Sequence, residues 1–201
     1  MKRIFRLQAL IAMAVLLSCS NGNLIVDKSL MDELAADYGA RAETYSSTRG
    51  DLFAMADTLS NDALKVAVQF LLAYMPLSDL SAVEPGYVVD NAAVALRTRE
   101  EMPWGPGIPL DVFLHFVLPP RVNNENPDNF RQVCYDELKE RVSGLDMIEA
   151  ALEINRWCQE KVSYQAADSR TSAPLATMLS ARGRCGEEST LTVSEIGRAH
   201  V

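Results

Sequence analysis

Arg182-Gly183-Arg184-Cys185-Gly186-Glu187-Glu188-Ser189-Thr190 sets a cysteine between two glycines, with arginines before it and acidic and hydroxyl residues after it. The acids and hydroxyls read as the opening of a helix, which puts Cys185 at a helix N-terminus. Helix N-termini and neighbouring cations both lower a thiol pKa, and a thiolate is the nucleophilic form. Arg182 and Arg184 supply the cations. Gly183 and Gly186 are read as allowing a tight turn and the close approach of a substrate carbonyl. If the chain has a reactive centre, it is Cys185.

Upstream of this stretch the sequence reads as helix after helix, and no segment shows sustained period-two alternation. Asp146 caps a helix, with Glu149 three residues on and Leu145 placed to staple onto Ala150. Its apolar face is read as Ile148, Ala151, Leu152 and Cys158, with Trp157 alongside. Ser163–Ser172 reads as a loop and Pro174–Ala181 as a short helix. Further back, Phe130–Arg141 is helical, after the polar connection Arg121–Pro127. Met102–Pro109 is a Pro/Gly-rich loop that leads into a short helix over Leu110–Leu118. Trp104 in that loop either lines a groove or packs over a neighbouring helix. Tyr87–Glu101 is helical, and Ser60-Asn61-Asp62 offers N-caps for a helix that Pro76 stops. Ser29 with Asp32 resembles a capping box, while Arg41–Gly50, rich in Ser and Thr, reads as a loop. The fold class is therefore mainly α.

The N-terminus has its own signature. Lys2, Arg3 and Arg6 form a basic region, and Leu7–Leu17 is apolar but short for a transmembrane helix. Leu16-Leu17-Ser18-Cys19 resembles the lipobox of bacterial lipoproteins, which implies a signal peptide over 1–18 and lipidation of Cys19. An ordinary signal peptide cut near Ser18 is the alternative. Residues 19–26 then form a polar tether to the membrane. The expected location is the bacterial cell envelope, lipid-anchored on the periplasmic or outer surface.

Composition narrows the partners. The 201 residues carry a formal charge of −8. Loss of residues 1–18 leaves 16 basic residues against 27 acidic, a balance of −11. No basic stripe exists to neutralise phosphates, so a nucleic-acid partner is not expected. Cys134, Cys158 and Cys185 cannot all pair within one molecule; export permits a Cys134–Cys158 disulfide, and Cys158 also reads as a buried small hydrophobe. Three scattered cysteines and one credible histidine make no metal site, and no cofactor is expected.

The stretch around Cys185 resembles the nucleophile motif of the transglutaminase-like superfamily, in which a Gly-x-Cys-x-acid sequence follows a short helix. The context agrees over residues 146–194, through the Trp157 helix, Val162-Ser163-Tyr164 and Pro174–Leu179. The resemblance implies a papain-like α+β parent with a Cys-His-Asp triad, the cysteine helix packing on a sheet. It implies acyl transfer from a peptide or protein amide through a thioester, by an amidase, peptidase or transamidase. Cys185 matches the nucleophile, its backbone N–H an oxyanion-hole donor, and Trp157 or Tyr164 a second donor. Glu187 and Glu188 are expected to complement the helix dipole. On this reading 27–141 is a helical N-terminal region and 142–194 the first part of the transglutaminase-like domain.

The triad's histidine and aspartate should follow the cysteine, yet the chain runs sixteen residues past it. His115 lies upstream, where a satisfied helix histidine is the simpler reading. His200 lies in Glu195–Val201, seven residues that the common short-read adapter GAGATCGGAAGAGCACACGTC encodes, with the stop TGA as its next codon. Residues 195–201 are therefore expected to be non-native. The expectation is a fragment that lacks its sheet and is itself inactive. The alternative is a non-catalytic surface module holding a peptide or glycan, and a third reading is a helical scaffold without chemistry.

Overall fold

The computed structural model describes residues 28–166 and 171–200. The expected signal peptide over 1–18, the expected lipidation site Cys19 and the expected tether 19–26 lie outside the described residues.

Helix α1 spans Lys28–Thr58 and runs through the stretch expected to be a loop. The Ser and Thr side chains bond back to their own helix: Thr44 Oγ1 donates to the Ala40 carbonyl at 2.9 Å and Thr48 Oγ1 to that of Tyr45 at 3.1 Å. Such back-bonding lets hydroxyl residues sit inside a helix and tends to bend it. The bend falls at Arg49, whose φ of −134° and ψ of 37° leave the helical region. Arg41 and Arg49 then reach across the molecule. Arg41 donates to the Met75 carbonyl at 2.5 Å, and Arg49 donates to the carbonyls of Leu80 and of Val83, the latter at 2.7 Å. These carbonyls lie at the C-terminal ends of the next two helices, where backbone acceptors lack intrahelical partners. The helix is already running at Lys28, so Ser29 lies inside its first turn rather than at its cap.

Asn61 opens α2, Asp62–Tyr74, by accepting the Leu64 N–H at 2.9 Å, and the helix ends before Pro76. A short α3, Leu77–Ala82, follows, and then α4, Pro85–Glu101. The sequence pattern gave no hint of α3. After a 3-10 turn at Gly105–Gly107 comes α5, Leu110–Val112, which widens into a π-helical turn over Phe113–Val117. One apolar core, with Leu52, Leu72, Val88, Phe113 and Leu118 inside, joins all of these elements.

Helix α6, Phe130–Val142, begins the second half, and α7, Met147–Lys161, follows from a complete capping box at Asp146 and Glu149. Strand β1, Ser163–Tyr164, helix α8, Pro174–Ser180, strand β2, Arg182–Gly183, and helix α9, Cys185–Val193, complete it. The strands pair in parallel, Ser163 opposite Arg182 and Tyr164 opposite Gly183. The chain is thus mainly α, as its patterning indicates. A second core gathers Cys134, Leu138, Ile154, Trp157 and Leu191, and Trp104 packs against its edge. Helix α6 supplies Cys134, Leu138 and Val142 to that core, and Met102, at the end of α4, joins them.

The connection into α6 is itself built. The Arg131 side chain is completely buried and donates to the carbonyls of Val117, Leu118 at 2.8 Å and Pro119 at 3.1 Å. Asp128 accepts the N–H groups of Phe130 at 3.2 Å and Leu175 at 2.8 Å, while its carbonyl accepts the Tyr87 hydroxyl at 3.2 Å. The two cores are held together through this loop.

One expectation needs correction here. The buried face of α7 is Ala150, Ile154, Trp157 and Cys158, whereas Ile148 is 69% and Leu152 63% exposed. Cys134 and Cys158 are separate free thiols, both buried. The last helix widens into a π-helix over Ser194–His200. Ile196 packs against the second core, and the Glu195 carboxylate is fully buried with the Cys134 thiol beside it. Among the described residues no helix is long and apolar enough to cross a membrane.

Candidate functional site around Cys185

The route to Cys185 begins at the end of α8. Ala181 takes a left-handed conformation, φ 53° and ψ 23°, and its N–H returns to the Met178 carbonyl at 3.0 Å. That reversal sends the chain into β2, where the Ser163 N–H donates to the Ala181 carbonyl at 3.1 Å and the Gln165 N–H to that of Gly183 at 2.8 Å. Two residues on from Gly183, Cys185 occupies the first position of α9 and is exposed.

Gly183 is required for packing rather than for an unusual φ. A Cβ there would lie 2.7 Å from the Glu187 Cβ and 3.3 Å from Thr177 Cγ2. Gly186 has only an ordinary neighbour, the Thr171 hydroxyl at 3.8 Å from where its Cβ would be, so the space beside the thiol stays open.

Glu187 does more than complement the helix dipole. Its buried carboxylate accepts the Arg184 backbone N–H at 2.9 Å, Arg184 Nε at 3.1 Å and Nη2 at 2.7 Å. It also accepts the Ser172 N–H at 3.4 Å, which ties the loop before α8 to the start of α9. The Arg184 guanidinium holds the Glu187 carboxyl down at about 2. The same pairing commits the Arg184 charge to Glu187, so it does not stand free toward the thiol. Arg182 points its guanidinium to the Gln165 side chain at 3.4 Å.

Beside Cys185 lies a groove of about 440 Å³ between α7 and α9. Asn155, Gln159, Glu188, Ser189 and Thr192 give it polar walls, while Cys158, Val162, Leu191 and Val193 give it apolar ones. The sequence reading names Glu188 and Ser189 only as the opening of a helix and does not single out Asn155, Gln159 or Thr192. The available signal was spacing: Cys185, Glu188, Ser189 and Thr192 stand at i, i+3, i+4 and i+7, one face of a helix, and Asn155 and Gln159 are four apart on α7.

The other two thiols are buried, whereas Cys185 is exposed. Burial is the main reason the Cys158 thiol is pushed up to about 12, and burial pushes Cys134 higher still. The Cys134 sulfur rests 3.9 Å from that of Met178.

The expected oxyanion-hole partners are placed differently from each other. Trp157 is fully buried and its Nε1–H donates to Glu137 at 2.7 Å, so it presents no donor to the groove. Tyr164 is exposed on β1, its backbone paired opposite Gly183. His115 stands in the first half of the molecule, edge-on to the Phe70 ring at a centroid distance of 5.0 Å, and no histidine lines the groove. Among the described residues no group of His, Cys, Asp and Glu side chains could hold a metal ion. No protein-family model, curated protein or solved structure matches this chain.

Proposed function

We propose that this chain is part of an exported, lipid-anchored, transglutaminase-like protein whose nucleophile is Cys185. The observation that carries the reading is the contrast between thiols: one exposed at the first turn of a helix, beside a groove, and two buried in apolar surroundings. In the reaction, the Cys185 thiolate attacks the carbonyl carbon of a peptide or protein amide. The C–N bond breaks and the amine leaves with a proton from a general acid. The resulting thioester passes its acyl group to water or to a second amine. The Cys185 backbone N–H, at the open end of α9, is the donor for the developing oxyanion.

The groove lining contains neither imidazole nor aspartate, so the acid–base partner belongs to residues outside those described, and this chain alone is proposed to be inactive. A non-catalytic module that holds a peptide or glycan is the second reading. It is favoured by the polar amide and hydroxyl walls at Asn155, Gln159, Ser189 and Thr192 and by the neutralised Arg184.

Iodoacetamide labelling of the native chain, mapped by mass spectrometry, is the first test. Cys185 should react on the order of 100-fold faster than Cys134 or Cys158, which become reactive only on unfolding. Equal, slow labelling of all three would remove the nucleophile assignment. The second test asks whether the longer gene product releases ammonia or amine from peptide amides. Complete loss in Cys185→Ser supports the enzyme; peptide binding with no turnover in the unaltered protein selects the binding module.

A further inference from the structure

A second cavity, of about 340 Å³, lies in the first half of the molecule, away from the Cys185 groove and sharing no lining residue with it. Its walls include the rings of Phe70, Tyr74, Tyr87 and His115, together with Pro76 and Pro119. The size is that of a pocket for a small molecule or for one large side chain.

Two polar features line the same cavity. Asn91 is completely buried; its Nδ2 donates to the Tyr87 carbonyl at 2.9 Å, but its Oδ1 is buried and accepts no hydrogen bond. A buried acceptor without a donor is costly, and a turn of the Asn91 amide toward the cavity would let a ligand N–H recover that cost. Arg121 chelates Asp79 through Nε at 2.9 Å and through Nη2, leaving Nη1 to donate elsewhere.

The charge state of that pair selects among ligands. Asp79 already neutralises Arg121, so a carboxylate or phosphate entering here meets the Asp79 charge as well as the guanidinium. Asp79 is buried and satisfied, so a cation gains nothing from it. What remains is one acceptor, one donor and a box of rings and prolines, which suits a neutral group with one N–H, one C=O and a flat apolar body. The geometry points to a binding site for an aromatic residue of a peptide, held through its own amide. This site stands independently of the chemistry at Cys185.

The test uses the full chain and three probes followed by amide chemical-shift mapping: N-acetylphenylalaninamide, N-acetylphenylalanine and N-acetylglycinamide. The phenylalaninamide should bind saturably with a millimolar or tighter Kd, and its shifts should fall on residues around Tyr87, Asn91 and Arg121. The acid should bind about tenfold more weakly, and the glycine amide should not saturate. Asn91→Leu should weaken the phenylalaninamide about tenfold. Should that variant lose its fold, His115→Trp, at an exposed position in the wall, must block binding instead. Equal or tighter binding of the acid, saturable binding of the glycine amide, tighter binding of a nucleoside such as adenosine, or shifts confined to the Cys185 groove would each overturn the proposal.

Discussion

The two halves of the molecule close their surfaces by different means. In the first, α1, α2 and α4 surround a single core, and arginines from α1 cross over to take the carbonyls at the ends of α2 and α3. In the second, α7 turns a row of apolar side chains, Ile148 and Leu152 among them, outward, and a groove opens beside Cys185. Both halves follow the same helix rules and both leave apolar side chains in solvent, Leu77 and Phe116 in the first, but only in the second do exposed apolar residues recur along one helix beside Cys185. An exposed apolar row next to an open groove is the kind of surface that more protein covers.

The sharpest way to break this contrast is a pair of leucines. Leu72→Ala, in the core of the first half, should cost about 2–5 kcal/mol in urea denaturation, whereas Leu152→Ala should stay within about 0.5 kcal/mol. Similar losses at both sites would mean that the α7 face is covered in solution.

Gly183→Ala has an intermediate expected effect. The new Cβ collides with a buried neighbour on the first turn of α9, so a loss of about 1–3 kcal/mol is expected. Iodoacetamide should also report it, as a changed labelling rate at Cys185. Unaltered stability together with an unaltered rate would show that β2 and α9 are not packed as described.

A different kind of effect is a slope with pH, and here two glutamates of the second half act in opposite senses. Glu187 is held down at about 2, so its contribution is complete above its ordinary value of 4.5 and disappears as pH falls toward 2. Glu195 is raised to about 8 by burial, so its folded state prefers the proton. Its penalty is absent below 4.5 and grows as pH rises through 8. Stability of the native chain should therefore fall between pH 5 and pH 8, and Glu195→Gln should flatten that limb. An unchanged slope in the variant would show that the Glu195 carboxylate is not buried.

Much of this architecture can be read from local chemistry. Asn61, Pro76, Asp146 with Glu149, and the acids after Cys185 each act within one helical turn, so their effect is visible without knowledge of the fold. What escapes is tertiary. The polar run over residues 41–50 is helical because its hydroxyls bond backward and its arginines find carbonyls more than thirty residues away. The face that α7 buries depends on where α6 and α9 sit, and periodicity alone favoured Ile148 and Leu152 over Ala150 and Ile154. At the site, the position of Cys185 is legible, whereas the partner of Arg184 and the polar wall of the groove are set by packing. Trp157 shows the same limit: the residue type suits a hydrogen-bond donor, but Glu137 already takes the bond.

Asp128 carries a consequence for the order of assembly. Its carbonyl meets Tyr87 and its carboxylate meets Phe130, both of which a growing chain supplies early or at once. The third partner, Leu175, is made 47 residues later. Burial raises the Asp128 carboxyl, and the Phe130 and Leu175 N–H groups oppose that rise. Until α8 arrives, this carboxylate is a half-closed clasp. The first half can form around it, and the arrival of Leu175 both completes the clasp and fixes α8, the element that delivers Cys185 to its helix. One aspartate thereby ties α8, and through it the start of α9, to the first half of the molecule.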